Sequence, residues 1–435
     1  MLHRLLSVFV FLLLVLTAKV EALGIMAGSV YDGRVGSVQW RYGDTPVSLP
    51  VAHLDSEVEL TLVFDLLVPN NEEQSWMPYL RCHVRHSNAD GEPDSLIDSE
   101  YLDGFNLADI GYGEPSVAGL TTVLYRNYKV TVPPAEMKAR LSGNYILEIY
   151  EDGKPDDIIL KAPFAIEEGS VKISGTVTSR TDTDWNGKLQ QLEIEVLRLS
   201  LDRRVAFQDL KVDIVQNGQI ASRQTLLNPT RVVGDKAIFA HRPELIFKGG
   251  NEYRRMETVS RRTCGMHVAD ILWDSPLYHE ILYTDMPRKD SGYAYDQTQS
   301  GEFTIREADE SDVVPSDVEA DYTAVHFSLK DSGIFPPDSI YIEGAVTGRR
   351  IDKSSAMDYD EETETWRKSL LLKQGAYDYR YFIKQALSGK TGSSEIEGDF
   401  HQTQNVYTIY VYYRLPGERT DRLAGTMAIK AEANR

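Results

Sequence analysis

Apolar residues recur at every second position through most of this chain, and that period limits the fold more than any other feature. Val58, Leu60, Leu62 and Phe64 alternate with Glu59 and Thr61. Tyr128, Val130 and Val132 alternate with Lys129 and Thr131, and Tyr145, Leu147 and Ile149 repeat the pattern after the turn Ser142-Gly143-Asn144. A strand points successive side chains to opposite faces, whereas a helix needs a period near 3.6. Alternating runs with turn residues between them predict antiparallel strands, each with one face buried in a β-sandwich. At 435 residues the chain is too long for one ordinary core. The predicted architecture is all-β, with three stacked β-sandwich domains.

Boundaries follow from shifts in this pattern. Residues 1–22 read as a secretory signal peptide: His3 and Arg4 open it, Leu5 to Leu16 is apolar apart from Ser7, and Val20-Glu21-Ala22 offers a cleavage site. Its apolar core is shorter than the roughly 20 residues a spanning helix needs, so cleavage is expected and direct membrane insertion is not. Residues 23–168 form the first predicted domain and 169–310 the second, whose strands include Leu189 to Leu197, Leu210 to Gln216 and Gln219 to Leu226. Within it, Asp285 to Gln299 is polar and turn-rich, which predicts a surface excursion. The run from Glu307 to Asp321 holds acids and no base, so residues 311–321 are expected to be a solvated acidic linker. Residues 322–415 form the third predicted domain. Its last strand, Tyr407 to Tyr413, is apolar on both faces, as a central strand would be. The remaining residues, 416–435, read as a charged and loosely held tail.

Charge and chemistry then exclude several functions. With 46 basic and 66 acidic residues, a formal net charge of −20 repels nucleic acid. It suits a soluble monomer, or one that docks on a basic patch. Cys82 and Cys264 have no CxxC or metal spacing and fall in different predicted domains, so they read as two buried free thiols. His83 and His86 would lie on opposite faces of a strand, which makes no metal pair. No nucleophile elbow, HExxH, Walker loop or helix-opening GxGxxG occurs. The chain reads as a non-enzyme with no cofactor and no metal.

Two short stretches stand out. In Phe247-Lys248-Gly249-Gly250-Asn251-Glu252-Tyr253-Arg254-Arg255 two glycines free the backbone, and an amide, an acid, a phenol and a guanidinium follow at once. Earlier comes Val215-Gln216-Asn217-Gly218-Gln219, whose Asn-Gly pair is the preferred centre of a two-residue hairpin. Gln216, Asn217, Gly249, Gly250, Asn251, Glu252, Tyr253 and Arg254 are therefore the candidate site. They are read either as a partner contact or as an internal network in which Glu252 pairs with an arginine and Asn251 holds the hairpin near Asn217.

These motifs carry a resemblance. The QNG turn, the GGNEYR stretch and the Gly-Glu-Phe strand start at Gly301 resemble the plug-protein family of the type IX secretion system. So do Arg81-Cys82-His83, Ser99-Glu100-Tyr101-Leu102-Asp103-Gly104-Phe105, Tyr125-Arg126-Asn127-Tyr128, Ser142-Gly143-Asn144-Tyr145, Leu372-Lys373-Gln374-Gly375-Ala376-Tyr377 and Asn405-Val406-Tyr407, in the same order. Pro115-Ser116-Val117-Ala118 departs from the family's loop. The resemblance implies a periplasmic component of the type IX machinery that binds the periplasmic mouth of the outer-membrane translocon barrel and seals it.

The third predicted domain also resembles the glycogen-binding, early-set immunoglobulin-like modules, through Ile342-Glu343-Gly344-Ala345-Val346, Trp366-Arg367 and Gln374 to Tyr381. Thr347-Gly348-Arg349-Arg350 stands where such modules carry a sugar-stacking tryptophan, and Trp366 alternates like a core residue. An immunoglobulin-like fold is carried over. Carbohydrate binding through this module is the alternative function.

Overall fold

A computed structural model describes residues 29–432, apart from 32, 56–58, 71, 73–74, 118, 309–315, 332–339 and 385–390. The expected signal peptide, Val58 and the first part of the acidic run lie outside the described residues. No helix among the described residues is long and apolar enough to cross a membrane.

Strand is by far the commonest regular element of the described chain, and the strands form β-sandwiches around three large cores. In the first, Leu60–Leu67 lies between Val35–Tyr42 and Tyr125–Val132, so Leu60, Leu62 and Phe64 face inward beside Tyr128 and Val130. The facing sheet runs Ile158–Glu167, Gly143–Glu151, Tyr79–Ser87, Ala108–Tyr112. Cys82 lies in this core, where burial pushes its thiol up to about 12. His83 and His86 do face opposite ways, His83 to Glu148 and His86 to Asp94.

The second core joins segments far apart in sequence. Lys211–Gln216 pairs with Gln224–Leu227 on one side and with Val406–Tyr413 on the other, and Val406–Tyr413 in turn pairs with Arg422–Lys430. Tyr407, Ile409 and Val411 pack with Val212, Ile214 and Phe239. Tyr410 and Tyr412, on the opposite face, meet Val51 and Ala165 of the first domain. That two-sided burial is the reason the strand is apolar on both faces.

Two sequence-based boundaries are corrected here. Tyr407–Tyr413 completes the second core rather than closing the third, and the tail beyond 415 holds a paired strand, Arg422–Lys430, with Leu423 and Ala424 fully buried. The third core takes Met256, Val268, Leu282 and Phe303, which were assigned to the second domain, together with Val325, Trp366 and Tyr379. Alternation reports which side chains are buried; it does not say against which sheet. The third domain is thus inserted between the two parts of the second.

The acidic run is corrected as well. Ser316–Glu319 is one helical turn, and Asp317, Val318, Glu319, Ala320 and Asp321 are all buried. Arg41 grips Asp317 with two hydrogen bonds, at 2.8 and 2.9 Å, and Lys129 adds a third contact at 3.1 Å. Burial opposes the Asp317 charge, but Arg41 and Lys129 hold its carboxyl at about 2. Asp321 accepts from the Thr122 and Val123 amides and from Arg261. Partnered acids need no solvation, so this stretch is a seam between the first and third domains.

Candidate functional site

The stretch from Phe247 to Arg254 carries the chain out of the second domain and into the third. Ile246–Lys248 pairs with Leu189 to Gln191, and Arg254–Glu257 pairs with Gly375–Lys384. Between them the backbone must pass very close to the chain at Phe400. A side-chain carbon on Gly249 would lie 2.2 Å from the Phe400 carbonyl oxygen, and Gly250 has φ +61°, the left-handed region that glycine enters freely. The Phe400 amide donates to the Gly250 carbonyl at 2.8 Å. Both glycines are explained by this crossing.

Asn251, Glu252 and Tyr253 follow at 6%, 3% and 3% exposure. The Asn251 side chain donates to the Glu397 carbonyl at 2.8 Å. Glu252 accepts from the Tyr293 hydroxyl at 2.8 Å and the Gln404 amide at 2.9 Å, and burial raises its pKa. Tyr253 donates to Glu343 at 3.2 Å and lies under the Arg380 guanidinium, 4.7 Å from its ring centre.

Arg254 is the charged centre. It bonds Asp285 at 2.7 Å, Glu397 at 3.1 Å and the Met286 carbonyl at 2.9 Å. Asp285 also accepts from the Tyr379 and Tyr381 hydroxyls at 2.8 and 2.7 Å, and Arg288 braces Glu397 at 2.8 Å. Burial works against the charges of Arg254, Asp285 and Glu397. Yet Glu397 and Asp285 hold the Arg254 guanidinium above its ordinary pKa, and the cations Arg254 and Arg288 hold Glu397 below its own.

The Asn-Gly stretch sits alongside. Asn217 and Gly218 have φ +52° and +66°, and the Gln219 amide donates to the Gln216 carbonyl at 3.0 Å, so the turn forms. It is not a two-residue hairpin, because Ile220–Ser222 makes a helical turn first and pairing resumes only at Gln224. Asn405 joins the two motifs: its side chain accepts from Asn217 at 2.7 Å and donates to the Gly249 carbonyl at 2.6 Å. Gln216 donates to the Lys248 carbonyl at 2.8 Å.

All eight candidate residues therefore meet in one network, with two expected partnerships corrected. The Glu252 carboxylate binds a phenol and a main-chain amide, and Arg288 reaches only the Glu252 main-chain carbonyl, at 2.6 Å; the acids of Arg254 are Asp285 and Glu397. Asn405, not Asn251, ties the knot to Asn217. Asp285 was expected on a surface excursion, and it is 6% exposed. Sequence reasoning missed Asp285, Glu343, Asn405 and Glu397, since the spacing of lone acids and amides in loops reports nothing about burial. Tyr379 and Tyr381 were the available signal: two phenols on one face of a buried strand need an acceptor.

Beside the knot, Arg349 donates to the Asn217 carbonyl at 2.6 Å and pairs with Glu302. It is thus a paired, half-buried cation where a stacking aromatic would stand in a sugar-binding module. Trp366 is 2% exposed. Among the described residues no three His, Cys, Asp or Glu side chains are placed to hold a metal ion. Both cysteines are free, but Cys264 is exposed rather than buried, since it sits in the loop before Val268–Asp274.

Residues 35–168 match the family described as type 9 secretion system plug protein, first domain. A crystal structure of a hypothetical protein from Parabacteroides merdae is similar throughout, with 34% identity and a TM-score of 0.87, covering 95% of this chain and 100% of that one. No curated protein matches.

Proposed function

The chain belongs to the type IX secretion system plug family, and on that footing we propose that it docks on the periplasmic mouth of the outer-membrane translocon barrel and seals it. In this reading it is a non-enzymatic, monomeric periplasmic component of the type IX machinery, exported by a cleaved signal peptide. A seal works by steric exclusion, so it must not deform when the channel is loaded from one side.

The observation that carries the reading is the way the three domains are locked. Lys373 and Asp65 pair at 2.7 Å with side chains 1% and 0% exposed, joining the third domain to the first. Burial pushes Asp65 up and Lys373 down, and Asn127 and Tyr322 add hydrogen bonds to Asp65. Arg422 reaches Glu168 at 3.0 Å, and Tyr412 donates to Asn144 at 3.0 Å, joining the second domain to the first. The knot around Arg254, with Asn405 and Arg349, joins the second to the third. Buried pairs of this kind add little net stability but fix geometry, because any displacement leaves a charge unpaired.

Cells that retain the translocon but lack this protein are expected to admit more of a large polar antibiotic than their parent. Equal uptake with and without the gene would rule the sealing role out.

A further inference from the structure

Where the second domain meets the third, beside the crossing at Gly249 and Gly250, lies a cleft of about 250 Å³. One wall is the turn from Gln216 to Gln224 with the end of Ile246–Lys248. The other is Arg380, Phe382 and the segment from Thr391 to Ser394. Three polar side chains in these walls are nine-tenths or more buried: Gln219 at 2% exposure, Arg380 at 6% and Ser393 at 9%. Each carries a donor that meets no acceptor among the described residues. The Gln219 oxygen accepts from the Ala221 amide at 3.2 Å, while its Nε2 has no partner. Arg380 uses only Nε, on Glu343 at 2.6 Å, and its two outer nitrogens make no hydrogen bond. The Ser393 hydroxyl caps nothing.

A buried donor without an acceptor is unfavourable, and three that converge on one cleft call for a ligand rich in acceptors. The outer edge of a guanidinium is a planar fork that matches a carboxylate. Glu343 offsets the Arg380 charge from behind, so this fork supplies directed donors, and the cleft's added positive charge is Lys248. That exposed ammonium stands at the mouth and reaches only the Ser394 hydroxyl, at 3.3 Å. Asp399, the one acid lining the cleft, is already engaged, accepting from the Gly250 amide at 3.1 Å and the Ser394 hydroxyl at 3.0 Å. Phe382 gives the wall between them an apolar face. At roughly 30 Å³ per water the cleft has the space of about eight, enough for succinate or glutarate.

We propose that this cleft binds a small aliphatic dicarboxylate, with one carboxylate on the Arg380 fork and the Gln219 amide, the methylenes against Phe382, and the second carboxylate at Lys248. The site goes beyond the sealing role and does not depend on it. A ligand held there ties the second domain to the third across the glycine crossing.

Titration calorimetry of the purified full chain with succinate tests it. One saturable site is expected, and succinamide, of the same shape without the charge, is expected to bind at least about tenfold more weakly, since hydrogen bonds to a charged acceptor are the stronger kind. Gln219→Glu keeps the oxygen that accepts from the Ala221 amide and turns the free donor into an acceptor; it is expected to lower succinate affinity by about tenfold or more. Lys248→Gln alters an exposed side chain, so it is expected to melt like wild type and to bind succinate a few-fold more weakly. Lys172→Gln, an exposed cation elsewhere on the second domain, is expected to bind like wild type. No binding of succinate at millimolar concentration, equal affinity for succinamide, or equal affinity for inorganic phosphate would each overturn the dicarboxylate site. If Gln219→Glu melts early, Lys248→Gln decides: unchanged affinity in that variant overturns the proposal, and weakened affinity beside an unchanged Lys172→Gln upholds it. None of these outcomes bears on the sealing role.

Discussion

Glu280 lies fully buried on strand Leu277–Leu282, with one hydrogen bond from the Thr323 hydroxyl at 3.1 Å. Desolvation lifts its pKa from 4.5 to about 7. Between those values the folded protein holds a proton that the unfolded chain has released. Stability therefore falls as pH rises from about 4.5 to about 7 and is level beyond. Asp317 has the opposite sign: its carboxyl is held at about 2, so its contribution is present above the unfolded value of 3.8 and is lost below it. Glu280→Gln keeps the shape and the acceptor for Thr323 and removes the charge. It is expected to raise the melting temperature at pH 8, by a stability gain on the order of 3 kcal/mol, and to change it little at pH 4. A gain of equal size at both pH values would mean that packing, not charge, is responsible.

At the scale of elements, the segment from Gly249 to Arg254 has almost no regular structure, and its side chains substitute for a backbone ladder. The cost of removing one depends on what is left behind. Glu252→Ala strands a phenol and an amide, about 1–3 kcal/mol for a buried group left without its partner. Arg254→Ala takes the nearest cation from buried Asp285 and leaves Glu397 with Arg288 alone, which breaks a buried ion pair at about 3–5 kcal/mol. Thermal melts should rank Arg254→Ala as the more damaging; the reverse order would mean that Asp285 and Glu397 are relieved by water or by each other's protons. How much of this was readable follows from the same physics. Strands announced themselves through alternation, and the glycines announced a tight crossing. The stretch's partners did not, because Glu397, Asn405 and Asp285 acquire their roles only when distant loops close over them. Acidity misled in the same way at Asp317 and Asp321, where composition suggested solvent and the cations of other segments supplied the partners.

For the whole molecule, the seams between domains are built from the same materials as the cores. Calorimetry on the full chain is expected to give one unfolding transition, and Asp65→Ala, which leaves the Lys373 ammonium buried and unpaired, to lower it or split off an earlier one. Separate transitions in the wild type would mean that the domains are only loosely strung. The insertion of the third domain into the second also has a consequence for how the molecule is made. The second core needs Phe247 and Tyr407 together, and at about 5–20 residues per second the chain between them takes on the order of ten seconds to be synthesised. Throughout that interval Lys211–Gln216 has one open edge, the kind of unpaired strand that seeds aggregation. The nascent chain thus carries an adhesive strand until Val406–Tyr413 arrives to pair with it. Its need for a holding chaperone lasts until that partner strand is in place.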